Sequence, residues 1–96
     1  MNSYYVYILS NHYNDVLYIG MTNDLMRRIY EHKSGIIKGF TWKYNVHKLV
    51  WYDKSGSVES AIAREKQMKA WKREWKDNVI NTMNPNWSDL AEDFNR

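Results

Sequence analysis

The chain has 96 residues and a net charge of +3 at pH 7, with 44% hydrophobic residues, 16% aromatic residues and no cysteine. This length suits one compact domain, and the lack of cysteine excludes a disulfide framework and a thiolate zinc site. No apolar run approaches the roughly 20 residues needed to span a bilayer, and the amino terminus lacks a signal-peptide pattern. We therefore expect a soluble, cytoplasmic protein with no membrane partner.

The charge is unevenly distributed along the chain. Residues 1–76 carry 13 Lys and Arg against 7 Asp and Glu, whereas residues 77–96 carry 1 Arg against 4 acids. A basic body suits a polyanionic partner, because Lys and Arg displace condensed counterions from phosphates. Ordinary solubility explains the same charge equally well, so charge proposes nucleic acid as a partner without establishing it.

The pattern of side chains predicts an α+β domain in the order β-β-α-β-α(-α), in which the last helix is either continuous or broken in two. The expected strands cover residues 4–9, 16–21 and 47–53, and the expected helices cover residues 25–34 and 58–82, with a loop over residues 34–46. A three-stranded sheet covered by helices is the simplest way to bury these elements. We expect residues 1–83 to form the domain. Residues 84–96 would be a tail that docks partly through Trp87 and Leu90 and frays at its end.

The predicted hairpin brings tyrosines together. Strand alternation puts Tyr5 and Tyr7 on one face, and the simplest register places Tyr7 opposite Tyr18 and Tyr5 opposite Gly20. Phenol hydroxyls would then cluster beside a glycine that lets a phosphate or another backbone come close. Taken alone, the hairpin is better explained by half-buried sheet tyrosines.

The first helix carries two adjacent arginines in different settings. At 100° per residue Leu25 and Ile29 define the buried stripe, Arg28 and His32 flank it, and Arg27 points to solvent. An arginine held at the edge of a core can offer two donors to a phosphate or to its transition state. A packed stem with its head in water is the commoner arrangement. His32 is a proton carrier, a phosphate contact or a packed residue, and the last is the default.

The second long helix carries a carboxylate on its apolar side. Glu65 falls within a stripe formed by Val58, Ala61, Ile62, Met68, Trp75 and Val79. A carboxylate there is uncommon unless it is paired, protonated or bound to a cation. Mg²⁺ is typically held by one or two carboxylates together with water and phosphate oxygens. An ion pair with Lys69, four residues on, explains Glu65 equally well.

Aromatic and basic residues alternate in the loop over residues 34–46. Trp42 lies between Lys38 and Lys43 and is placed to stack on a base or a ribose. The basic series that includes Lys69 on the long helix is either a solvated face or a face that follows a nucleic-acid backbone. Core or near-core packing is the expectation for Trp51, Trp71 and Trp75.

The order of these motifs resembles the GIY-YIG nuclease superfamily. YVY at residues 5–7 and YIG at 18–20 are followed by an arginine in a DLxRR helix and by Glu65 in a later helix. Over roughly residues 4–90, the stretches YYVYIL, LYIGMTNDLMRRIYEH, KLVWYD and AIAREKQMKAWKREWK resemble its small, one-domain bacterial branch, whose members are regarded as endonucleases. The two tripeptides alone are weak, whereas their order and spacing with the arginine and glutamate are specific.

The resemblance implies three antiparallel strands flanked by helices, and metal-dependent cleavage of DNA. By position, Tyr7 and Tyr18 would orient or deprotonate the attacking water, and Arg28 would stabilise the pentavalent phosphate. Glu65 would bind Mg²⁺ or Mn²⁺, and His32 occupies a position where some members have a functional histidine. A tyrosine with its ordinary pKa near about 10 is a poor base at neutral pH, so nearby metal and arginine charge would have to lower that pKa.

The chain also departs from the family pattern. Tyr5 and Val6 replace the glycine and isoleucine of the first tripeptide, and both substitutions suit a strand. Larger members use an asparagine after the glutamate helix, and Asn78, Asn81 and Asn84 are equal candidates for it.

These observations give three hypotheses of function. The first is a metal-dependent DNA endonuclease acting in repair, recombination or processing, with RNA cleavage and oligomeric state left open. Its expected substrate contacts are Tyr5, Gly20, Lys38, Trp42, Lys43 and Lys69. The second is a non-catalytic nucleic-acid-binding module on the same scaffold, and the third is a protein-interaction domain. The full Tyr, Tyr, Arg and Glu set favours the nuclease, because a binding module has no need of a carboxylate in an apolar stripe.

Overall fold

The computed structural model describes residues 3–95 of the chain. Its elements are β1 (Tyr4–Ser10), β2 (Leu17–Thr22), α1 (Leu25–Lys33), α2 (Phe40–Lys43), β3 (Lys48–Ser55), α3 (Val58–Ala70), α4 (Arg73–Met83) and a terminal 3₁₀ helix (Leu90–Asn95). Within the described residues no helix is both long and apolar enough to cross a membrane. Arg96, where the tail was predicted to fray, lies outside them.

The three strands form one antiparallel sheet in the order β2-β1-β3. Helices α3 and α4 cover one face, and α1 and the terminal 3₁₀ helix cover the other. Because helices cover both faces, the central strand is buried continuously from Val6 to Ser10. The predicted α+β class and three-stranded sheet are confirmed, and the last helix takes its broken form.

The register of the hairpin differs from the predicted one by two residues. Tyr7 lies opposite Gly20, not opposite Tyr18. The cause lies in the turn: the side-chain oxygen of Asn11 accepts hydrogen bonds from the backbone N–H groups of Asp15 and Val16, each at 3.1 Å. These residues are held in the loop, so the second strand begins later than predicted. A shift of two residues keeps every side chain on its predicted face.

Helix α1 follows its predicted pattern closely. The Asp24 side chain caps its amino terminus by accepting a hydrogen bond from the backbone N–H of Arg27 at 3.2 Å. Leu25, Ile29 and His32 are buried on one face against the sheet. The helix therefore fixes His32 under the sheet.

The helical conformation is interrupted between α3 and α4, and the interruption contains no proline or glycine. Trp71 and Lys72 both adopt an extended backbone, with ψ of 150° and 151°. The break resets the helical phase, so Ile80 is fully buried while Trp75, predicted to be near the core, is exposed. Ile62 was also predicted to be buried and is exposed, because only a narrow line of α3 contacts the sheet. The predicted stripe is thus wrong at these two positions.

The segment after α4 packs against both faces of the sheet. Asn84 is buried, and its amide donates to the backbone oxygen of Val50 at 3.2 Å. Trp87 packs on the α3 side of the core, whereas Leu90 and the buried Ala91 pack on the α1 side. The role of Trp87 and Leu90 as the docking points of a separate tail stays a prediction. The division of the chain at residue 83 stays a prediction.

Candidate active site

Two tyrosines and a histidine meet on the α1 side of the sheet. The ring centroids of Tyr7 and Tyr18 are 6.3 Å apart, and the imidazole centroid of His32 is 6.0 and 5.7 Å from them. The phenol oxygen of Tyr7 forms a hydrogen bond with His32 Nε2 at 3.2 Å. On the far side of the ring, His32 Nδ1 lies 3.1 Å from Thr41 Oγ1. The sequence had singled out all of these residues except Thr41.

Gly20 makes room for the first of these tyrosines. A Cβ atom at residue 20 would lie 2.5 Å from both Cζ and the hydroxyl oxygen of Tyr7, closer than such atoms can approach. The space above the glycine is thus filled by the phenol ring of its cross-strand neighbour. The sequence had suggested that a phosphate could approach this glycine, and the phenol ring prevents that approach.

Burial dominates the ionisation of Tyr7. Burial raises the pKa of the Tyr7 phenol well above its ordinary value, and the neighbouring Tyr18 raises it further. The positive charge of Arg28 lowers the pKa of Tyr7, and the negative charge of Glu65 raises it. The pKa of Tyr7 is therefore raised overall, whereas the charge of the arginine alone would lower it. Both charged residues nevertheless lie close enough to act on the tyrosine, so the fold brings the predicted set into one region.

His32 is neutral at physiological pH. Burial is the largest cause that lowers its pKa, the charges of Arg28 and His47 act in the same direction, and the net pKa is about 4. A neutral imidazole carries one hydrogen on its two nitrogens, so it donates one hydrogen bond and accepts the other. The default expectation of a packed residue holds, with the addition that both nitrogens contact side chains in the site.

Arg28 is less exposed than Arg27, as predicted. Its side chain is 41% exposed, against 74% for Arg27. Its Nε lies 3.4 Å from a carboxylate oxygen of Glu31, one turn further along α1. A small surface hollow is lined by Thr22, Asn23, Asp24, Arg27, Arg28 and Glu31. The guanidinium group is therefore both oriented and reachable. Glu31 was not among the predicted site residues, although its spacing from Arg28 was a sufficient signal.

Glu65 is half-buried and has a basic neighbour. Its carboxylate lies 3.6 Å from Lys69 Nζ, which is the ion pair that the sequence offered as the alternative to a metal. Among the described residues, no three His, Asp or Glu side chains are grouped so that they could hold a metal ion. A single carboxylate still fits Mg²⁺ or Mn²⁺, since these hard cations complete their coordination with water and phosphate oxygens.

Helix α2 occupies the middle of the segment predicted to be a loop. Four residues are too few to show a helical period, so no sequence pattern predicted this helix. Phe40 packs 6.2 Å from Tyr18, centroid to centroid, which places α2 beside the site. Trp42 is 47% exposed, and Lys38 Nζ lies 4.1 Å above its ring. Lys43 lies over the ring of Tyr44 at 5.4 Å. The aromatic and basic surface expected from the sequence is present here.

Tyr5 is separated from the other tyrosines. It pairs with Thr22, not with Gly20 as predicted. It lines a different hollow, together with Leu25 and Tyr52. Its phenol is thus not part of the cluster around Tyr7.

The three candidate asparagines have unequal surroundings. Asn84 is buried and bonded to backbone groups of Val50 and Ser88. The side-chain oxygen of Asn81 accepts a hydrogen bond from the Trp87 indole at 2.6 Å. Both therefore hold the chain after α4 in place, and Asn78 is exposed on α4.

The hairpin tyrosines, the arginine of α1 and the glutamate of α3 lie in one region of an α+β scaffold. Residues 3–78 match the model of the GIY-YIG catalytic domain, and the chain belongs to this nuclease family, which acts on nucleic acids. The family predicted from the sequence is confirmed.

Similar proteins support the same assignment. A UPF0213 protein from Haloquadratum walsbyi is 34% identical over 80 residues, covering 82% of this chain and 89% of that protein. A UPF0213 protein from Bacillus pumilus is 30% identical over 82 residues, covering 85% and 83%. The solution NMR structure of a UPF0213 protein from Bacillus halodurans matches with a TM-score of 0.58 at 29% identity, covering 91% and 92%. This structure has the predicted fold, and the names of the three relatives state no substrate.

Proposed function

We propose that the protein is a divalent-metal-dependent endonuclease that hydrolyses phosphodiester bonds of DNA in the cytoplasm, in repair, recombination or processing. One observation carries the proposal: a hydrogen-bonded pair of Tyr7 and His32 lies beside Tyr18, within range of the charges of Arg28 and Glu65. Opposite charges around neutral proton donors suit a reaction in which a phosphate gains negative charge.

Arg28 supplies the positive charge of the site. Its pairing with Glu31 orients the guanidinium group while its exposure leaves donors free for a phosphate. A planar guanidinium offers two parallel donors to phosphate oxygens. Arg28 therefore binds the scissile phosphate and stabilises the charge that develops in the transition state.

The two tyrosines have different roles toward the attacking water. Tyr7 stays a neutral phenol, because burial raises its pKa, and it orients the attacking water through a hydrogen bond. Tyr18 is half-buried, reachable by water, and takes part in activating it. Glu65 would hold Mg²⁺ or Mn²⁺, which when bound polarises the scissile phosphate and stabilises the leaving oxygen.

The surface around α2 and α3 contacts the rest of the substrate. Trp42 offers a partly exposed ring for stacking, Lys38 lies over that ring, and Lys43 lies over the neighbouring ring of Tyr44. Lys69 lies next to Glu65 and extends the positive surface toward the carboxylate. Together these residues would follow a DNA backbone into the site.

A cleavage assay tests the proposal. Single-stranded, duplex and branched DNA and an RNA are incubated with Mg²⁺, Mn²⁺ or EDTA, using wild type, Glu65→Gln and the matched control Glu74→Gln, which changes an exposed carboxylate on α4. We expect metal-dependent cleavage that falls by at least about a hundredfold in Glu65→Gln and is retained in the control. Cleavage by Glu65→Gln at the wild-type rate would contradict the assignment of the metal ligand.

The Glu65–Lys69 ion pair favours a second candidate function. Because the pair accounts for the carboxylate without a cation, a non-catalytic nucleic-acid-binding module is consistent with it. That function predicts binding that weakens steeply with salt, and no product from any variant on any substrate. Binding without cleavage across the whole assay would therefore replace the nuclease with the binding module.

A further inference from the structure

The two sides of α2 carry different aromatic residues. Thr41 faces the body of the domain and is buried. Because successive residues of a helix are turned by about 100°, Phe40 and Tyr44 share one side of α2, and Trp42 lies on the other. Trp42 packs over Gly35, just after α1, where a Cβ atom would overlap its ring. The tryptophan predicted to stack on a base therefore lies away from the other two aromatic residues.

Phe40 and Tyr44 continue outward from Tyr18, and we call these three residues the aromatic track. The ring centroids of Tyr18 and Phe40 are 6.2 Å apart, and those of Phe40 and Tyr44 are 4.9 Å apart. Phe40 is 47% exposed and Tyr44 is 44% exposed, so each residue keeps nearly half of its surface in water although the rings pack together. Large apolar groups that stay exposed side by side commonly mark a binding surface. The aromatic track therefore offers such a surface directly beside the proposed site.

The charge around the aromatic track favours an anionic partner. Residues 32–52 contain four lysines and no Asp or Glu. Lys43 Nζ lies 5.4 Å from the centroid of the Tyr44 ring, and among the residues that the structure describes Lys43 forms no ion pair. Its positive charge is thus held next to an exposed ring without a carboxylate to neutralise it. This combination fits a nucleotide, whose base stacks on a ring while its phosphate meets an ammonium group.

The aromatic track fits an unpaired strand better than a duplex. In a duplex the faces of each internal base are covered by the neighbouring base pairs, so a protein ring cannot stack on them. An unpaired base has a free face, and stacking on aromatic side chains is a common way in which proteins bind such bases. The exposed rings of Phe40 and Tyr44 therefore suit an unpaired base.

We propose that Phe40 and Tyr44 form a subsite that binds an unpaired nucleobase by stacking, next to the nucleotide whose phosphate enters the site at Tyr18. The position beside the scissile phosphate rests on the proposed function, whereas the binding of the base does not. Phe40 and Tyr44 hold the substrate strand in this subsite and move no proton.

Binding of two oligomers tests the subsite without cleavage. In EDTA, fluorescence anisotropy compares labelled oligothymidine with an abasic oligomer of the same length, which keeps the phosphates and lacks the bases. We expect wild type to bind oligothymidine roughly tenfold more tightly, because the abasic oligomer cannot stack. Equal affinity for the two oligomers, or binding of neither, would overturn the subsite. This comparison needs no variant and therefore holds even if a substitution disturbs the fold.

Variants then assign the stacking to particular rings. Phe40→Leu and Tyr44→Leu should each reduce the preference for oligothymidine to about threefold or less, with the affinity for the abasic oligomer unchanged. Tyr30→Leu changes an exposed tyrosine on α1 and is the matched control, which should keep the wild-type preference. Folded leucine variants at residues 40 and 44 that keep the wild-type preference would overturn the proposal and leave Trp42 as the stacking residue.

Cleavage of a strand with one abasic nucleotide tests the position of the subsite. We expect wild type to cut the bond that adjoins the abasic nucleotide roughly tenfold more slowly than the other bonds of the strand, and Phe40→Leu to cut all of them at similar rates. Equal cutting of every bond by wild type would overturn the placement beside the scissile phosphate. If wild type cleaves nothing, the proposed function fails, while the affinities measured in EDTA still decide whether the subsite exists.

Discussion

Tyr7 and Gly20 face each other across the hairpin, and the phenol ring of the tyrosine occupies the space that any side chain at residue 20 would need. The central strand thereby carries a large buried aromatic ring at a position where its neighbour has no side chain. Packing of this kind fixes the ring in one place, which lets its hydroxyl reach His32.

The first prediction follows from this contact. Gly20→Ala should destabilise the fold by about 1–3 kcal/mol, because the new methyl group overlaps the Tyr7 ring and the backbone or the ring must move. Cleavage should fall with it as the tyrosine leaves its position. Urea unfolding measures the first effect and the cleavage assay the second. Gly56→Ala is the control, since a Cβ there meets no atom within 4 Å. Equal stability of the two variants would contradict the prediction.

The second prediction concerns pH and His32. The pKa is about 4 in the folded protein and about 6.5 in an unfolded chain, so between these values the unfolded chain binds more protons. The contribution of His32 to the free energy of unfolding is therefore complete above pH 6.5 and is lost as the pH falls toward 4. Between pH 7 and pH 5 the loss is about 2 kcal/mol.

Chemical unfolding at several pH values measures this effect. His32→Gln should flatten the dependence of stability on pH in this window. His12→Gln, which changes an exposed histidine, should leave the wild-type dependence in place. A glutamine variant at residue 32 with the wild-type slope would show that another group titrates.

The third prediction concerns the aromatic surface of α2. Trp42→Ala should weaken DNA binding by roughly tenfold, because stacking of one base is worth about 1–3 kcal/mol. Fluorescence anisotropy of labelled DNA measures the affinity at fixed salt. Trp75→Ala is a matched control, since this tryptophan is similarly exposed but belongs to α4. A larger loss in the Trp75 variant would place the DNA on the other helix.

The fourth prediction concerns competition for Glu65. Removing the positive charge in Lys69→Gln should tighten Mn²⁺ binding by roughly twofold in the absence of DNA, since exposed pairs of this kind contribute about 0.3–0.5 kcal/mol. Electron paramagnetic resonance of free Mn²⁺ gives the affinity. Lys66→Gln, an exposed lysine on the same helix, is the control. Weaker binding in Lys69→Gln would argue against competition between the lysine and the cation.

Much of the fold could be predicted because each signal was local. The alternating strands, the Asp24 cap and the stripe of Leu25 and Ile29 each specify their element within a few residues. The hairpin register could not be predicted, because it depends on side-chain hydrogen bonds of Asn11 within the turn. The break near Trp71 likewise has no proline or glycine to mark it.

The candidate site, too, could be predicted only where the signal was local. Periodicity indicated which face each of Tyr7, Tyr18 and Arg28 would share, and a two-residue shift in register left those faces unchanged. Thr41 was out of reach, because its contact with His32 depends on how the segment before β3 folds back over α1. Contacts between residues in different elements carry no period that a single sequence could show.

The chain after α4 also has a consequence for how the protein folds during synthesis. Asn84 bonds the backbone of Val50, and Ala91 closes the apolar layer under α1. Until residues 84–94 have left the ribosome, the part of this layer that Leu90, Ala91 and Phe94 cover, including Tyr52, stays exposed to water and to other chains. Translation of these residues thus sets the earliest moment at which the nascent domain can shield itself from aggregation.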